Sequence, residues 1–388
     1  MQHLELLLAA VRSALGEDRQ LSLQVDEPLL RRTLSLARGH DLSDMVAAGL
    51  ARLDVTLPPE LAQSLALSAG AAFSRFLGQN RVMERLSALF AKEGIDYLPL
   101  KGLVLRELYP QPAFRVGRDI DVLVRPADLE RATELLCAAL EIVHQTNGGH
   151  DVGLETADGV RLELHFSLFH ENDGVGELLA DPFACALPDA ELACCYRLPV
   201  AEQLAHLIAH MAKHFMSGGV GLRAFLDLYL LERSAPQAEL DHAAELLASC
   251  DLLEFAEVVR REARVLFADE QGDADTDRLA AFVCKAKSFG THGTTAALRL
   301  ARRDERKRSP LGHLCSRLFP SYRIMSYLYP VLRRAPFLLP VLWGWRGVRI
   351  FSKKERARFL AVTRSDFSVD DSAVQEARAI YDYLHLKV

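Results

Sequence analysis

The sequence is short of features that would place it quickly. No apolar run reaches the roughly 20 residues that a membrane-spanning helix needs. There is no C-x-x-C pair and no H-E-x-x-H, so the usual zinc spacings are missing. The seven cysteines, at 137, 185, 194, 195, 250, 284 and 315, are odd in number and fall in apolar, mostly helical contexts. They read as free thiols of a reducing, cytoplasmic compartment. The opening stretch MQHLELLLAAVRSALGED has neither a basic start nor a small-residue cleavage site, and reads as a helix rather than a signal peptide. Internal repeats, low-complexity tracts and obvious linkers are absent too. With 50% apolar and 25% charged residues, the composition excludes a disordered chain, and 388 residues can bury one large core or two to three smaller ones.

Acidic and basic residues are unevenly placed. Between Arg299 and Arg364 stand seventeen Lys/Arg against three Asp/Glu, a local charge of +14, so the rest of the chain sums to −20 for the net of −6. A split of this size points to an anionic partner or to an internal match with the acidic part.

The informative stretch is Ile95 to Val124, IDYLPLKGLVLRELYPQPAFRVGRDIDVLV. It reads as a strand near Tyr97 to Leu100, a helix opened by Lys101-Gly102, a Pro-rich loop and a second strand. Alternation on that second strand puts Asp119 and Asp121 on one face and Ile120 and Val122 on the other. Two carboxylates side by side on an otherwise apolar strand repel each other and call for a cation, a proton or paired bases. Arg115 and Arg118 stand just upstream. The group therefore offers a divalent-metal site beside donors suited to phosphate.

Lys-Gly, a helix ending in Tyr-Pro, and then Arg-x-x-x-Asp-Ile-Asp-x-Leu-Val together resemble the bacterial nucleotidyltransferase-like family, an outlying branch of the DNA polymerase β-type nucleotidyltransferases. The likeness is strongest from Ile95 to Ser167. It implies an α+β protein: a small mixed sheet flanked by N-terminal helices and a larger C-terminal helical domain. The division expected is 1–92, 93–198 and 199–388. It also implies transfer of a nucleoside monophosphate from an NTP to an acceptor, with Asp119, Asp121 and a third carboxylate holding two Mg²⁺ (or Mn²⁺). Lys101, Gly102, Arg115 and Arg118 would hold the triphosphate, and Lys213, Arg223 and Asp227 resemble positions that recur in the family's helical half, where they would contact the nucleotide or the acceptor. One departure stands out: the residue after Gly102 is Leu103, where the superfamily has a serine hydroxyl.

A hairpin follows the acidic strand, with arms at His150 to Thr156 and Val160 to Leu168 around an Asp158-Gly159 turn. Arg161, Glu163, His165 and Ser167 share one face of the second arm, which makes Glu163 the natural third carboxylate and places His165 beside it. In the helical pattern after Pro199, His206, His210 and His214 share a face that suits the lining of a cleft better than a metal comb. His210 and His214 are thus candidates to stand behind the carboxylates. Earlier, Pro58-Pro59 open a long helix that Gly94 ends, and its Gln79 and Asn80 read as surface residues. Residues 235–300 carry further amphipathic helices and no motif. The basic aromatic stretch 299–364 includes Trp343 and Trp345, and two readings stay open for it. It either packs as a helical hairpin or makes weak contact with an anionic membrane surface. The rival to an enzyme is a nucleotide-binding or peripheral membrane adaptor protein that keeps the fold without transfer.

Overall fold

The computed structural model describes residues 2–17, 21–115, 117–169, 175, 178–287, 290–301, 319–320, 322, 325–326, 329, 331–350 and 369–386. The charged stretch 302–310, Cys315 and the basic residues of 351–364 lie outside the described residues. The chain divides into two compact units: residues 1–215 with 220–288, and residues 216–219 with 289–388.

The first unit begins with three short helices, α1 (Gln2–Ala14), α2 (Glu27–Gly39) and α3 (Ser43–Arg52). The Asp26 carboxylate accepts from the Leu29 amide at 2.8 Å and so caps α2. Helices α1 and α3 touch backbone to backbone. A Cβ on Gly49 would fall 1.7 Å from the Ala10 carbonyl oxygen, so only glycine fits there. The long helix α4 (Pro59–Glu93) has Pro59 in its first turn and ends at Gly94, whose φ of +66° is the left-handed stop.

The sheet comes next, interleaved with short helices: β1 (Tyr97–Pro99), α5 (Gly102–Leu105), β2 (Asp119–Val124), α6 (Leu129–Ala139), β3 (Ile142–Asn147), β4 (Asp151–Thr156) and β5 (Arg161–His165). The strand order is β1-β2-β5-β4-β3. Within this sheet β2 and β5 form the parallel pair, with Asp119 opposite Arg161, Asp121 opposite Glu163 and Leu123 opposite His165. The other neighbours are antiparallel. A small hairpin, β6 (Leu187–Pro188) and β7 (Tyr196–Arg197), lies beside β1 through a bridge from Tyr97 to Cys195.

One face of the sheet is core. Ile120, Val122, Val124, Leu162 and Leu164 pack with Val82, Leu86 and Phe90 of α4 and with Ala132 and Leu136 of α6. Alternation then turns every odd residue of β2 and β5 to the opposite face, where the carboxylates lie. The unit is completed by α7 (Val200–Ser217), α8 (Leu222–Ser234), α9 (Gln237–Ala248), α10 (Leu253–Phe267) and α11 (Ala274–Ala286). Together these elements make the α+β core with a helical part that the sequence pattern implies.

The second unit holds α12 (His292–Ala301), α13 (Val331–Arg334), α14 (Leu339–Ile350) and α15 (Asp371–Tyr383), with α12 packed on α15. Its two tryptophans part company. Trp343 is half-buried, donates its indole N–H to the Pro320 carbonyl at 2.9 Å and sits edge-on to Phe319, whereas Trp345 is exposed. Among the described residues no helix is long and apolar enough to cross a membrane.

Glu262 of α10 is fully buried, and neither carboxylate oxygen has a hydrogen-bond partner among the described residues. Burial, with Asp277 and Asp273 adding to it, raises its pKa from the ordinary 4.5 to about 8. The folded protein holds this proton more tightly than the unfolded chain does. The resulting stabilisation is complete below 4.5 and is lost as pH rises through about 8. Denaturant titrations across this range should show the wild type losing on the order of 4 kcal/mol relative to Glu262→Gln. Parallel pH profiles for the two proteins would show that Glu262 is not the group responsible.

Candidate functional site

Three side chains meet where β2 and β5 run side by side. The carboxylates of Asp121 and Glu163 and the imidazole of His165 offer ligand atoms that all lie within 4.8 Å of one another. His165 Nε2 is 2.9 Å from Asp121 Oδ1 and 3.6 Å from a Glu163 oxygen. Asp121 and His165 are buried, while Glu163 is half-exposed. Asp119 is half-buried two residues before Asp121 on the same face and stands outside this close trio.

The buried Asp121 carboxylate also accepts from the Lys101 ammonium at 2.7 Å. Burial alone would raise its pKa. The Lys101 charge and the His165 hydrogen bond outweigh burial and hold Asp121 well below the usual carboxylate range. Asp119 and Glu163 move the other way. Burial raises both, and the neighbouring Asp121 charge raises them further. The acids are thus driven apart: one is firmly ionised and two bind protons more readily than free carboxylates do. Lys101 itself loses to burial but gains more from Asp121, and keeps its charge.

The position of Lys101 depends on a tight turn. Its φ of +46° and ψ of −114° are rare for a side-chain-bearing residue, and Leu103 N closes the turn on Leu100 O at 3.2 Å. Such a conformation costs about 1–3 kcal/mol and is held by its surroundings. Gly102 follows because a Cβ there would meet Arg115 Nη1 at 3.1 Å. Arg115 in turn is buried and donates to both Asp227 oxygens, at 2.8 and 3.0 Å. Tyr109 donates its hydroxyl to the same carboxylate at 2.7 Å. The expected phosphate donors are therefore placed differently from one another. Lys101 is on Asp121, Arg115 is locked to Asp227 of α8 beneath the turn, and Arg118 is exposed in the loop before β2. Arg223 pairs with Asp41 at 3.4 Å.

Helix α7 brings its histidines towards Lys101. His206 and His210 line a small cavity of about 30 Å³ with Lys101, Pro99 and Leu105. His210 and His214 face each other through their Nε2 atoms at 3.2 Å. Burial and the Lys101 charge lower the pKa of His206 to about 3 and that of His214 to about 4, and push His210 well below the ordinary value. All three are neutral at pH 7, so Lys101 and the half-buried Lys213 carry the positive charge here.

The sequence pattern misplaces Gln79 and Asn80, neither of which is exposed, and passes over another residue. Gln79 is buried rather than superficial, and its Nε2 donates to the Gly117 carbonyl at 3.1 Å, holding the chain as it turns into β2. The interruption of the long helix's apolar face by Gln79 and Asn80 is the available signal. His150, which the alternation marks only as the start of a hairpin arm, has its ring 5.3 Å from that of His165.

A mixed five-stranded sheet with helices on its apolar face and clustered carboxylates on the other defines an α+β core of nucleotidyltransferase type. Residues 27–268, well over half of the chain, match the family described as uncharacterised nucleotidyltransferase, and the chain belongs to it. A search of curated proteins finds no match.

Arg115 and Asp227 make a testable case for support from below the turn. Removing one partner strands a buried charge, so Arg115→Ala and Asp227→Ala should each destabilise by roughly 3–5 kcal/mol. Arg115→Met paired with Asp227→Leu should recover most of that loss in a denaturant titration. Single variants of wild-type stability would refute the supporting role.

Proposed function

We propose that the protein transfers a nucleoside monophosphate from an NTP to an acceptor hydroxyl or phosphate, releasing pyrophosphate, on the polar face of its sheet. Membership of the nucleotidyltransferase family supports the reaction class. The observation that carries the reading is the parallel register of β2 and β5, which sets Asp121 opposite Glu163.

The donor set suits a divalent cation. Asp121, Glu163 and His165 present convergent ligand atoms, and Asp119 and Glu163, raised by burial and then by the Asp121 charge, are acids that a cation would help to ionise. Asp119, Asp121 and Glu163, with His165 adjoining, would hold Mg²⁺ or Mn²⁺. When bound, such ions polarise phosphoryl oxygens and neutralise the leaving pyrophosphate.

The remaining work falls to the chain itself. Asp121 stays ionised at neutral pH through Lys101 and His165. The Lys101 ammonium is the donor nearest the carboxylates and is proposed to meet the triphosphate, with exposed Arg118 meeting it from the loop. Gly102, Arg115 and Asp227 keep the Lys101 turn in place. Neutral His210 and His214, with Lys213, line the buried side. Catalysis is then chiefly positioning and charge stabilisation.

A second reading is a protein that binds nucleotide without transferring it. Lys101 already neutralises Asp121, and Leu103 supplies no hydroxyl after Gly102.

An α-labelled NTP screen over RNA, protein, sugar and small-molecule acceptors separates the two. Transfer by the wild type in Mg²⁺ or Mn²⁺, reduced at least about 100-fold in Asp121→Asn, is the expected outcome. Divalent ions should also raise the melting temperature of the wild type and not of Asp121→Asn. NTP binding by calorimetry with no transfer to any acceptor would give the second reading the case.

A further inference from the structure

A cavity of about 580 Å³, whose lining does not include the carboxylate trio, lies between α4, β1 and the loop leading into β7. Its volume suits a small organic molecule. Met83, Leu103, Val104 and Leu192 make its walls largely apolar. Two polar atoms in its lining are unsatisfied. Arg106 Nη1 is buried and has no hydrogen-bond partner among the described residues, and the same is true of Asn80 Oδ1.

Arg106 is the more telling. Its guanidinium lies over the Phe76 ring, 5.3 Å from the centroid, and no carboxylate approaches it as a salt-bridge partner among the described residues. The adjacent Glu107 is taken by Arg197 at 2.9 Å. Arg197 is held further by Asp189 at 2.6 Å, so Glu107 and Asp189 both turn to Arg197, and Glu107 acts on Arg106 only through space. Glu84 and Glu191 are exposed at the rim, where solvent screens them. Arg106 is half-buried with Nη1 shut off from water; a desolvated donor left unpaired is costly, and a guanidinium fork matches a planar oxyanion. Asn80 adds an acceptor that a ligand hydroxyl or N–H would satisfy.

We propose that this cavity is a second ligand site that takes a small organic acid. Its carboxylate, or an equivalent oxyanion, meets Arg106, a donor group meets Asn80 Oδ1, and a flat apolar body lies against Met83, Val104 and Leu192. The site is separate from the proposed transfer chemistry and does not depend on it. Asn80, which looks like a surface residue in the sequence, becomes part of the recognition.

The test uses 8-anilinonaphthalene-1-sulfonate, an aromatic oxyanion with one N–H, against the full-length protein. Fluorescence titration should show one saturable site. Arg106→Gln should weaken it at least tenfold, and Leu192→Trp should do the same by filling the cavity from its exposed side. Melting temperatures within a few degrees of wild type keep these losses specific. Should Arg106→Gln fold poorly, Leu192→Trp decides alone. The uncharged analogue N-phenyl-1-naphthylamine should bind at least tenfold more weakly than the sulfonate. No saturable binding, binding that survives Leu192→Trp, or equal affinity for the uncharged analogue would overturn the proposal.

Discussion

The site is built around the burial of one carboxylate. Asp121 sits on a strand whose opposite face is the sheet core, so its charge lies where an uncompensated anion would be prohibitive. Lys101 and His165 meet the same oxygen, and their placement imposes a chain of further demands. Lys101 reaches Asp121 only from a strained turn. That turn needs Gly102 because Arg115 lies beneath it, and Arg115 is buried only because Asp227 receives it. Tyr109 completes the same carboxylate from the loop between α5 and β2. A local requirement at β2 thus reaches α8 through a line of satisfied buried charges. This is why residues distant in sequence behave as one unit.

The long helix α4 serves both sides of this arrangement. Val82, Leu86 and Phe90 fill the core beneath β2 and β5, and so fix which residues of those strands face the other way. A one-residue slip would bury Asp119 and Asp121 in that core and turn Ile120 and Val122 outward, at a large free-energy cost. The same helix sends Gln79 to the backbone ahead of β2 and Asn80 into the cavity beside β1. Packing, strand placement and ligand-sized space are therefore coupled through one element. Pro99 and Val104 border both that cavity and the small one beside Lys101, so the turn carrying Lys101 forms a common wall.

Much of this was written in the local pattern. Alternation along β2 and β5 put Asp119, Asp121, Glu163 and His165 on one face, and the structure gathers three of them tightly. Proline and glycine marked the ends of α4. Strand β3 was not foreseen. It is an edge strand, half-buried only at Ile142 and otherwise exposed, so it lacks the apolar alternation that announces a half-buried strand. The fates of Arg115 and Asp227 were equally hidden. An arginine near an acidic strand looks the same in sequence whether it awaits phosphate or is already paired 112 residues away.

What the sequence determined by itself is what short-range periodicity can encode: the type of each main element, the faces of its strands, and the clustering of acids on one of them. Only the tertiary structure decided how charges are matched. It gave Lys101 to Asp121, took Arg115 for Asp227, made the α7 histidines neutral by burying them beside a lysine, and left Arg106 Nη1 without a hydrogen-bond partner among the described residues. The physical reason is that ion pairing and desolvation depend on distances across the fold and on exclusion of water, and neither is fixed until distant segments pack together.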